Sequence, residues 1–422
     1  MSKRVVFNTF GSLGDLHPYL AVAAGLRARG HRVVIATMNA YRRHIEGAGI
    51  EFAPVRPHVA LDDTVLVRRL MNGAAGPHYL FRQLLMPALR GTYQDLAHAA
   101  EGADILITHN STYTGPLLAA KRGLRWISSV LSPLAFFSAY DPLVVGRSVT
   151  PLLAHVATLG PAPNRAAIGL IKAASRPWVR DVDRLRAELG LPPGPHPIFD
   201  GPHSPQRVLA LFSTAFAAPR PDWPQHTRVT GFAFYRDEGA LDPALARFLD
   251  DDDRPPVVFT LGSAAVHSAG AFYATAAAVA RKLQLRAALL VGPNRENLTG
   301  VSLPESVAAF GYVPYASFFH RARAIVHSGG IGTTAHALRA GRPMLVVPHG
   351  YDQPDTAARV QRLGAGRFIH AHKFDVPSAA RALREVLDEP RYAARAAEIG
   401  SQIRAEHGVE NACDAIEEVL AS

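Results

Sequence analysis

The chain has 422 residues, 48% of them hydrophobic and 19% charged, which excludes a disordered protein and is too long for one ordinary core, so two domains of roughly 200 residues are expected. Its net charge of +10 comes mostly from arginines scattered singly or in pairs, with no lysine-rich run and no aromatic–basic interleaving, so no nucleic-acid partner is expected. A lone cysteine, Cys413, excludes an intrachain disulfide, and no apolar run reaches the roughly 18 to 20 residues that span a bilayer.

Ser2-Lys3-Arg4 leads straight into a strand without the apolar core of a signal peptide, so a cytoplasmic chain with no stable membrane insertion is expected. Val5 to Phe10 reads as a buried strand ending in Gly11-Ser12-Leu13-Gly14-Asp15. Pro18 then suits the start of a helix whose apolar face is Leu20, Ala23, Ala24 and Leu26, before Gly30 and a second strand, His31 to Thr37. The glycine spacing is G-x-x-G, and Thr37-Met38-Asn39 stands where a dinucleotide site needs an acidic residue, which argues against such a site.

Asp104 to Thr108 is another apolar strand, ending in His109-Asn110-Ser111-Thr112, and Trp126 to Leu131 ends in Ser132-Pro133. Strands and helices alternating at this spacing make a parallel, doubly wound α/β sheet, whose ligands bind at the carboxyl ends of its strands. Gly14-Asp15, His109 and Ser132 all fall at such ends. The pattern loosens from about 55 to 95 and from 134 to 180 into segments that line an apolar acceptor pocket, with Ser132, Phe136 and Phe137 as candidates, or that simply pack the core.

Val208 to Phe212 and Thr230-Gly231-Phe232 read as the last strands of the first domain, placed at 1–235. Residues 236–256, with acidic Asp250 to Asp253, are polar and turn-prone and read as the linker. The strand–helix rhythm restarts at Val257 to Leu261, which ends in Gly262-Ser263. A helix near 270 to 283 follows, then a strand near Ala287 to Val291 and Ala308 to Pro314. The second domain is placed at 257–400, and the chain is helical from Val376 onward, ending in a helix within 401–422.

The most informative stretch runs from His327 to Gln353. Ala324-Ile325-Val326 ends in His327 and a glycine cluster, and a helical pattern with Ala335, Leu338 and Ala340 continues to Gly341. Gly329, Gly330 and Gly332 allow close approach of the backbone, while Thr333 and Thr334 add hydroxyls beside unpaired amides of the first helical turn; such a turn binds an anion, above all a phosphate. Met344 to Val347 leads to Asp352-Gln353, which puts a carboxylate and an amide at the end of the neighbouring strand, suited to sugar hydroxyls.

His-x-Gly-Gly-x-Gly-Thr-Thr followed by this Asp-Gln pair resembles the donor-binding signature of family 1 nucleotide-sugar glycosyltransferases, in the bacterial branch with rhamnosyltransferase-type and sterol- or antibiotic-glycosylating enzymes. The resemblance implies the GT-B fold, two doubly wound Rossmann-like domains facing a central cleft, with a final helix crossing back to the first. It implies that His327, Gly329, Gly330, Gly332 and Thr333 bind the diphosphate, that Asp352 and Gln353 hold the sugar, and that the Val313 backbone reads the base. Ser12, Gly14, Ser263 and Thr334 complete the expected donor set. The chain departs from many relatives at Ala335-His336, where they carry a glutamate that reaches the ribose.

The implied reaction is inverting transfer of a hexose from a UDP- or dTDP-sugar, a co-substrate, to a hydroxyl of a hydrophobic small molecule such as a polyphenol, sterol, macrolide or hydroxylated lipid. No cofactor or metal is expected: there is no D-x-D at a strand end and no H-E-x-x-H or C-x-x-C, and His370 and His372 lack a third ligand nearby in sequence. Fixed donors at the helix N-terminus are left to meet the leaving charge. Asp15 is the first candidate for the base, His17 its rival, and His109 stands where plant-type members carry an aspartate that orients a catalytic histidine; a helix cap remains the other reading of Asp15. A nucleotide-sugar epimerase or a non-catalytic binding subunit of the same architecture is the alternative.

Overall fold

A computed structural model describes residues 2–422 except 61–62, 73–74, 142–143, 145–155, 157–158, 236–240, 251–253 and 294. The chain divides into two units. One comprises Met1–Leu70, Ala74–Tyr235 and His407–Ser422, and the other Met71–Gly73 with Arg236–Glu406.

The first unit is built on a seven-stranded sheet in the order β3-β2-β1-β4-β5-β6-β7. Its strands are β1 (Arg4–Asn8), β2 (Arg32–Thr37), β3 (Glu51–Pro54), β4 (Ile105–His109), β5 (Arg125–Val130), β6 (Arg207–Ala210) and β7 (Thr227–Val229). Every pairing is parallel, with Val5 opposite Ile105 and Asn8 opposite Thr108 in the β1–β4 ladder. Val5, Val6, Phe7 and Ile105 to Ile107 are buried without alternation because helices cover both faces of a parallel sheet. The direction of strand succession reverses between β1 and β4, and the crevice beyond the carboxyl ends at such a reversal is where open α/β sheets take ligands.

The second unit repeats the plan with six strands in the order β10-β9-β8-β11-β12-β13. They are β8 (Val257–Thr260), β9 (Ala287–Leu290), β10 (Val307–Phe310), β11 (Ala324–His327), β12 (Met344–Val346) and β13 (Gly366–Phe368), again all parallel. Here the reversal falls between β8 and β11. The doubly wound α/β architecture expected from the strand–helix rhythm is therefore present in both units.

Some local expectations fail. The helix after β1 begins at Leu13, not at Pro18, because Ser12 and Asp15 cap it and so nucleate it a turn and a half earlier. Pro18 sits inside that helix, Leu13–Ala28, near its start, where only the Gly14 carbonyl loses a helical donor. The last strand of the first unit is Thr227–Val229, just before Thr230-Gly231-Phe232. The stretch read as linker carries a short helix, Pro243–Leu249, whose cap Asp242 accepts the Ala244 amide at 2.7 Å. Linker residues 236–240 and Asp251 to Asp253, and residues 142–143, 145–155 and 157–158 of the 134–180 segment, lie outside the described residues.

The helix Gly408–Ala421 packs on Leu13–Ala28 within the first unit. Gly25 makes the close approach possible, since a Cβ there would lie 2.9 Å from both Cys413 Sγ and Val409 Cγ1. Arg29 pairs with Asp414 and Glu417 at 2.6 Å each, and Arg207 and Arg228 both pair with Glu418. Among the described residues no helix is long and apolar enough to cross a membrane.

Candidate active site

In the second unit the site grows from the end of β11. His327 is fully buried, and its Nδ1 accepts the Gly329 amide at 3.1 Å. That bond fixes the tautomer: the ring proton resides on Nε2, which is buried with no partner. Burial pushes the imidazole down to about 3, so His327 is a neutral donor at physiological pH. Gly329 has φ +89°, and a Cβ there would meet Val346 Cγ1 at 2.8 Å and the Gln353 carbonyl oxygen at 3.1 Å, so only glycine fits.

Gly330, in extended backbone, is the N-cap of the nine-residue helix Ile331–Arg339 and offers no side chain to its first-turn amides. Ser328 is turned away, donating to the Leu261 carbonyl at 2.8 Å and so tying the ends of β11 and β8 together. Tyr315 lies beneath the turn, its hydroxyl 3.1 Å from Thr260 Oγ1 and hydrogen-bonded to Thr333. The buried Thr334 hydroxyl donates to the Gly330 carbonyl at 2.9 Å, one helical turn back.

Gln353 is also partly committed: its Oε1 accepts the His349 and Gly350 amides at 2.8 and 3.2 Å, which shapes the loop after β12 and leaves only the amide nitrogen for a ligand. Asp352, half-buried, is the N-cap position of the helix Gln353–Arg362. Ser263 is exposed on the single helical turn Gly262–Ala265 after β8. Val313 is buried beyond β10, and among the described residues its backbone takes no hydrogen-bond partner.

In the first unit the turn after β1 folds a carboxylate back on itself. Asp15 Oδ2 accepts the Ser12 amide at 2.6 Å and the Ser12 hydroxyl at 2.9 Å. Gly11, with φ +145°, makes room for this, because a Cβ there would lie 2.3 Å from Oδ2. Tyr41 holds the turn by donating to the Gly11 carbonyl at 2.9 Å. Asp15 thus caps the helix from a half-buried position at the strand end, and the Ser12 hydroxyl donates to it.

His109 ends β4, the neighbour of β1, and is buried. Its Nδ1 lies 2.7 Å from Ser111 Oγ, and the Tyr19 ring meets it edge-on at 5.9 Å between centroids. Burial lowers its proton affinity, while the nearby negative charge of Asp15 works in the opposite direction; the imidazole is neutral beside a carboxylate. Tyr19 is fixed through Ser129, 2.8 Å away, which donates to the Thr108 carbonyl at 2.9 Å. His17, two residues beyond Asp15 on the same helix, has its ring 5.4 Å from Tyr235. Asp15 is thus near enough to His109 to act on its charge, and the His17 ring packs beside Tyr235.

Phe136 stacks on Trp223 at 4.4 Å and touches His203 and Phe212, so it packs in an aromatic cluster. Phe137, in a left-handed conformation at φ +47°, turns the other way onto Phe199. Ser132 has a buried hydroxyl without a partner. Tyr19, Tyr41, Tyr315 and Ser328 were not singled out in the sequence; only Ser328, between His327 and Gly329, left a local signal. Among the described residues no group of three or more His, Cys, Asp or Glu could hold a metal ion.

Residues 264–418 match the erythromycin biosynthesis protein CIII-like C-terminal domain, and residues 5–93 the glycosyltransferase family 28 N-terminal domain. An O-mycaminosyltylonolide 6-deoxyallosyltransferase of Streptomyces fradiae is 32% identical over 98% of this chain and 97% of its own length. A sterol 3-beta-glucosyltransferase of Yarrowia lipolytica is 30% identical over 97% of the chain, which spans only 28% of that enzyme. Among solved structures, the glycotransferase of kitacinnamycin superposes with a TM-score of 0.71 at 23% identity, each chain covered in full. The spinosyn forosaminyltransferase SpnP gives 0.73 at 19% identity, also over both full chains. At these identities the superpositions speak to the fold alone.

Proposed function

The chain belongs to the family 1 nucleotide-sugar glycosyltransferases of the GT-B fold and is a glycosyltransferase; from that premise we propose that it moves a hexose from a dTDP- or UDP-sugar to a hydroxyl of a hydrophobic small molecule, with inversion. The observation that carries the donor half is His327: a buried, neutral imidazole whose unpartnered Nε2–H stands at the N-terminus of Ile331–Arg339. A protein leaves a buried donor unsatisfied at a cost of about 1 to 3 kcal/mol, which a bound diphosphate oxygen removes. The helix N-terminus adds roughly half a unit of positive charge and its unpaired amides.

In this reading the anomeric carbon–oxygen bond to the diphosphate breaks as the acceptor oxygen attacks from the opposite face. The acceptor proton passes to the Asp15 carboxylate, and the charge released onto the diphosphate is met by His327 and the helix amides, with no metal required of the protein. Asp15 Oδ2 already carries two hydrogen bonds, so Oδ1 is the oxygen that takes the proton. The 32% identical relative, named for transfer of a deoxyallose to a mycaminosyl macrolide lactone, supports a hydrophobic acceptor and a sugar donor. A neighbour at TM-score 0.70 and 18% identity, the glycosyltransferase VinC, is described in complex with dTDP, which supports dTDP as the first nucleotide to try.

The test is release of free dTDP or UDP from a panel of dTDP- and UDP-hexoses, with and without macrolide aglycones and flavonoids. Release that depends on an acceptor, with a glycoside of inverted configuration as product, is expected. An altered sugar in the absence of any acceptor would replace transfer with epimerisation.

A further inference from the structure

We propose that the first unit carries a second binding site, for an acidic aromatic small molecule, in a cavity of about 470 Å³ between the segment around Arg82 and the start of the helix Arg180–Glu188. The volume lies within the range of small-ligand pockets, about 300 to 1,000 Å³. Its wall carries three arginines, Arg82, Arg180 and Arg184, with His78, Trp178 and one acid, Asp181.

Charge balance gives the ligand its sign. Asp181 is already taken by Arg184 at 2.9 Å, and among the described residues Arg82 and Arg180 have no acidic partner. Other arginines close by are treated differently: Arg90 is paired with Glu188, and Arg176 with Asp183 at 3.0 Å. Arg82 and Arg180 are both exposed on the wall of this cavity, where a carboxylate can be taken up in charge-assisted hydrogen bonds of the forked kind that guanidinium favours.

Trp178 gives the ligand its body. The indole is half-buried, meets His78 edge-on at 5.6 Å and Phe81 at 6.0 Å, and is held by these contacts with part of its surface in the cavity. Phe81 in turn packs on Tyr113 at 5.7 Å, so the indole is the outer member of a rigid aromatic row rather than a loose surface ring. A flat apolar ligand therefore finds a fixed surface to lie on, with cations at its rim. None of these groups belongs to the donor turn or to the Asp15–His109 pair.

The site is tested by calorimetric titration with 1-naphthoate, 2-naphthol and inorganic phosphate, no nucleotide sugar being present, so that the outcome is independent of whether transfer occurs. Naphthoate is expected to bind, and both the scaffold without the acid and the acid without the scaffold are expected to bind at least about tenfold more weakly. The double variant Arg82→Gln/Arg180→Gln should weaken naphthoate by about tenfold or more, and so should raising salt on the unaltered protein from about 0.05 M to about 0.5 M. Naphthoate binding no tighter than naphthol, or untouched by both the double variant and salt, overturns the proposal; phosphate binding that is as tight as naphthoate's and equally weakened by the double variant overturns its aromatic half. Titrating 6-hydroxy-2-naphthoate as an acceptor then distinguishes this site from the acceptor site: inhibition not relieved by a neutral acceptor supports a second site, and a Michaelis constant raised by the arginine variants makes the cavity the acceptor site and overturns the proposal.

Discussion

The turns after β1 and β11 share one plan, a buried parallel strand that ends in glycine and opens a helix, yet they present opposite chemistry. After β1 the helix amides are met from within, by Asp15 folded back onto Ser12, so the turn displays a carboxylate. After β11 the cap is Gly330, which has no side chain, and the neighbouring His327 is locked into the tautomer that donates outward. A proton acceptor and a set of anion-binding donors thus arise from the same backbone motif. One acidic side chain three residues into the first helix, and one imidazole at the end of the other strand, decide which.

The comparison is broken most severely at Asp15. Asp15→Asn keeps an acceptor for the Ser12 amide, so the fold should hold, while turnover falls roughly 10² to 10⁴-fold; steady-state rates with saturating donor and acceptor read this directly. Gly329→Ala attacks the other turn through its backbone: a left-handed alanine costs about 1 to 2 kcal/mol, and its Cβ would press on Val346, so donor affinity should drop by about tenfold or more with a lower melting temperature.

A subtler contrast is in pH. His327 binds no proton in the folded state until about pH 3, whereas unfolded it titrates near 6.5, so below that value the unfolded chain takes up the extra proton and stability falls as pH drops. At pH 5 the loss from this residue is about 2 kcal/mol, and urea titrations at pH 7 and pH 5 should show the gap shrinking in His327→Gln. The smallest effect is expected at Thr334→Val, which removes only the bond to Gly330 and should cost about 1 kcal/mol of stability without weakening donor binding.

The central strands of both sheets were legible in the sequence because they are continuous apolar runs that end in small or polar turn residues, whereas the edge strands β3 and β13, short and only partly buried, were not read as strands. The glycines of the second turn were legible for the same reason, since a donor signature is local. What was not legible depends on contacts between distant segments. Phe136 reads as an aromatic in a loose segment, and only the approach of Trp223 and Phe212 makes it core. Tyr19 and Ser129 are 110 residues apart and meet only through the β1–β4–β5 arrangement. Thr334 and Gln353 were placed correctly in the chain, but whether a hydroxyl or amide oxygen faces outward is set by local geometry that no spacing encodes.

The division of labour between the two turns is tested most directly by titrating dTDP and UDP calorimetrically into the unaltered protein, Asp15→Asn and His327→Gln. Binding equal to that of the unaltered protein in Asp15→Asn, together with affinity at least about tenfold weaker in His327→Gln, is the predicted result. Full affinity in His327→Gln, or its loss in Asp15→Asn, would contradict the account.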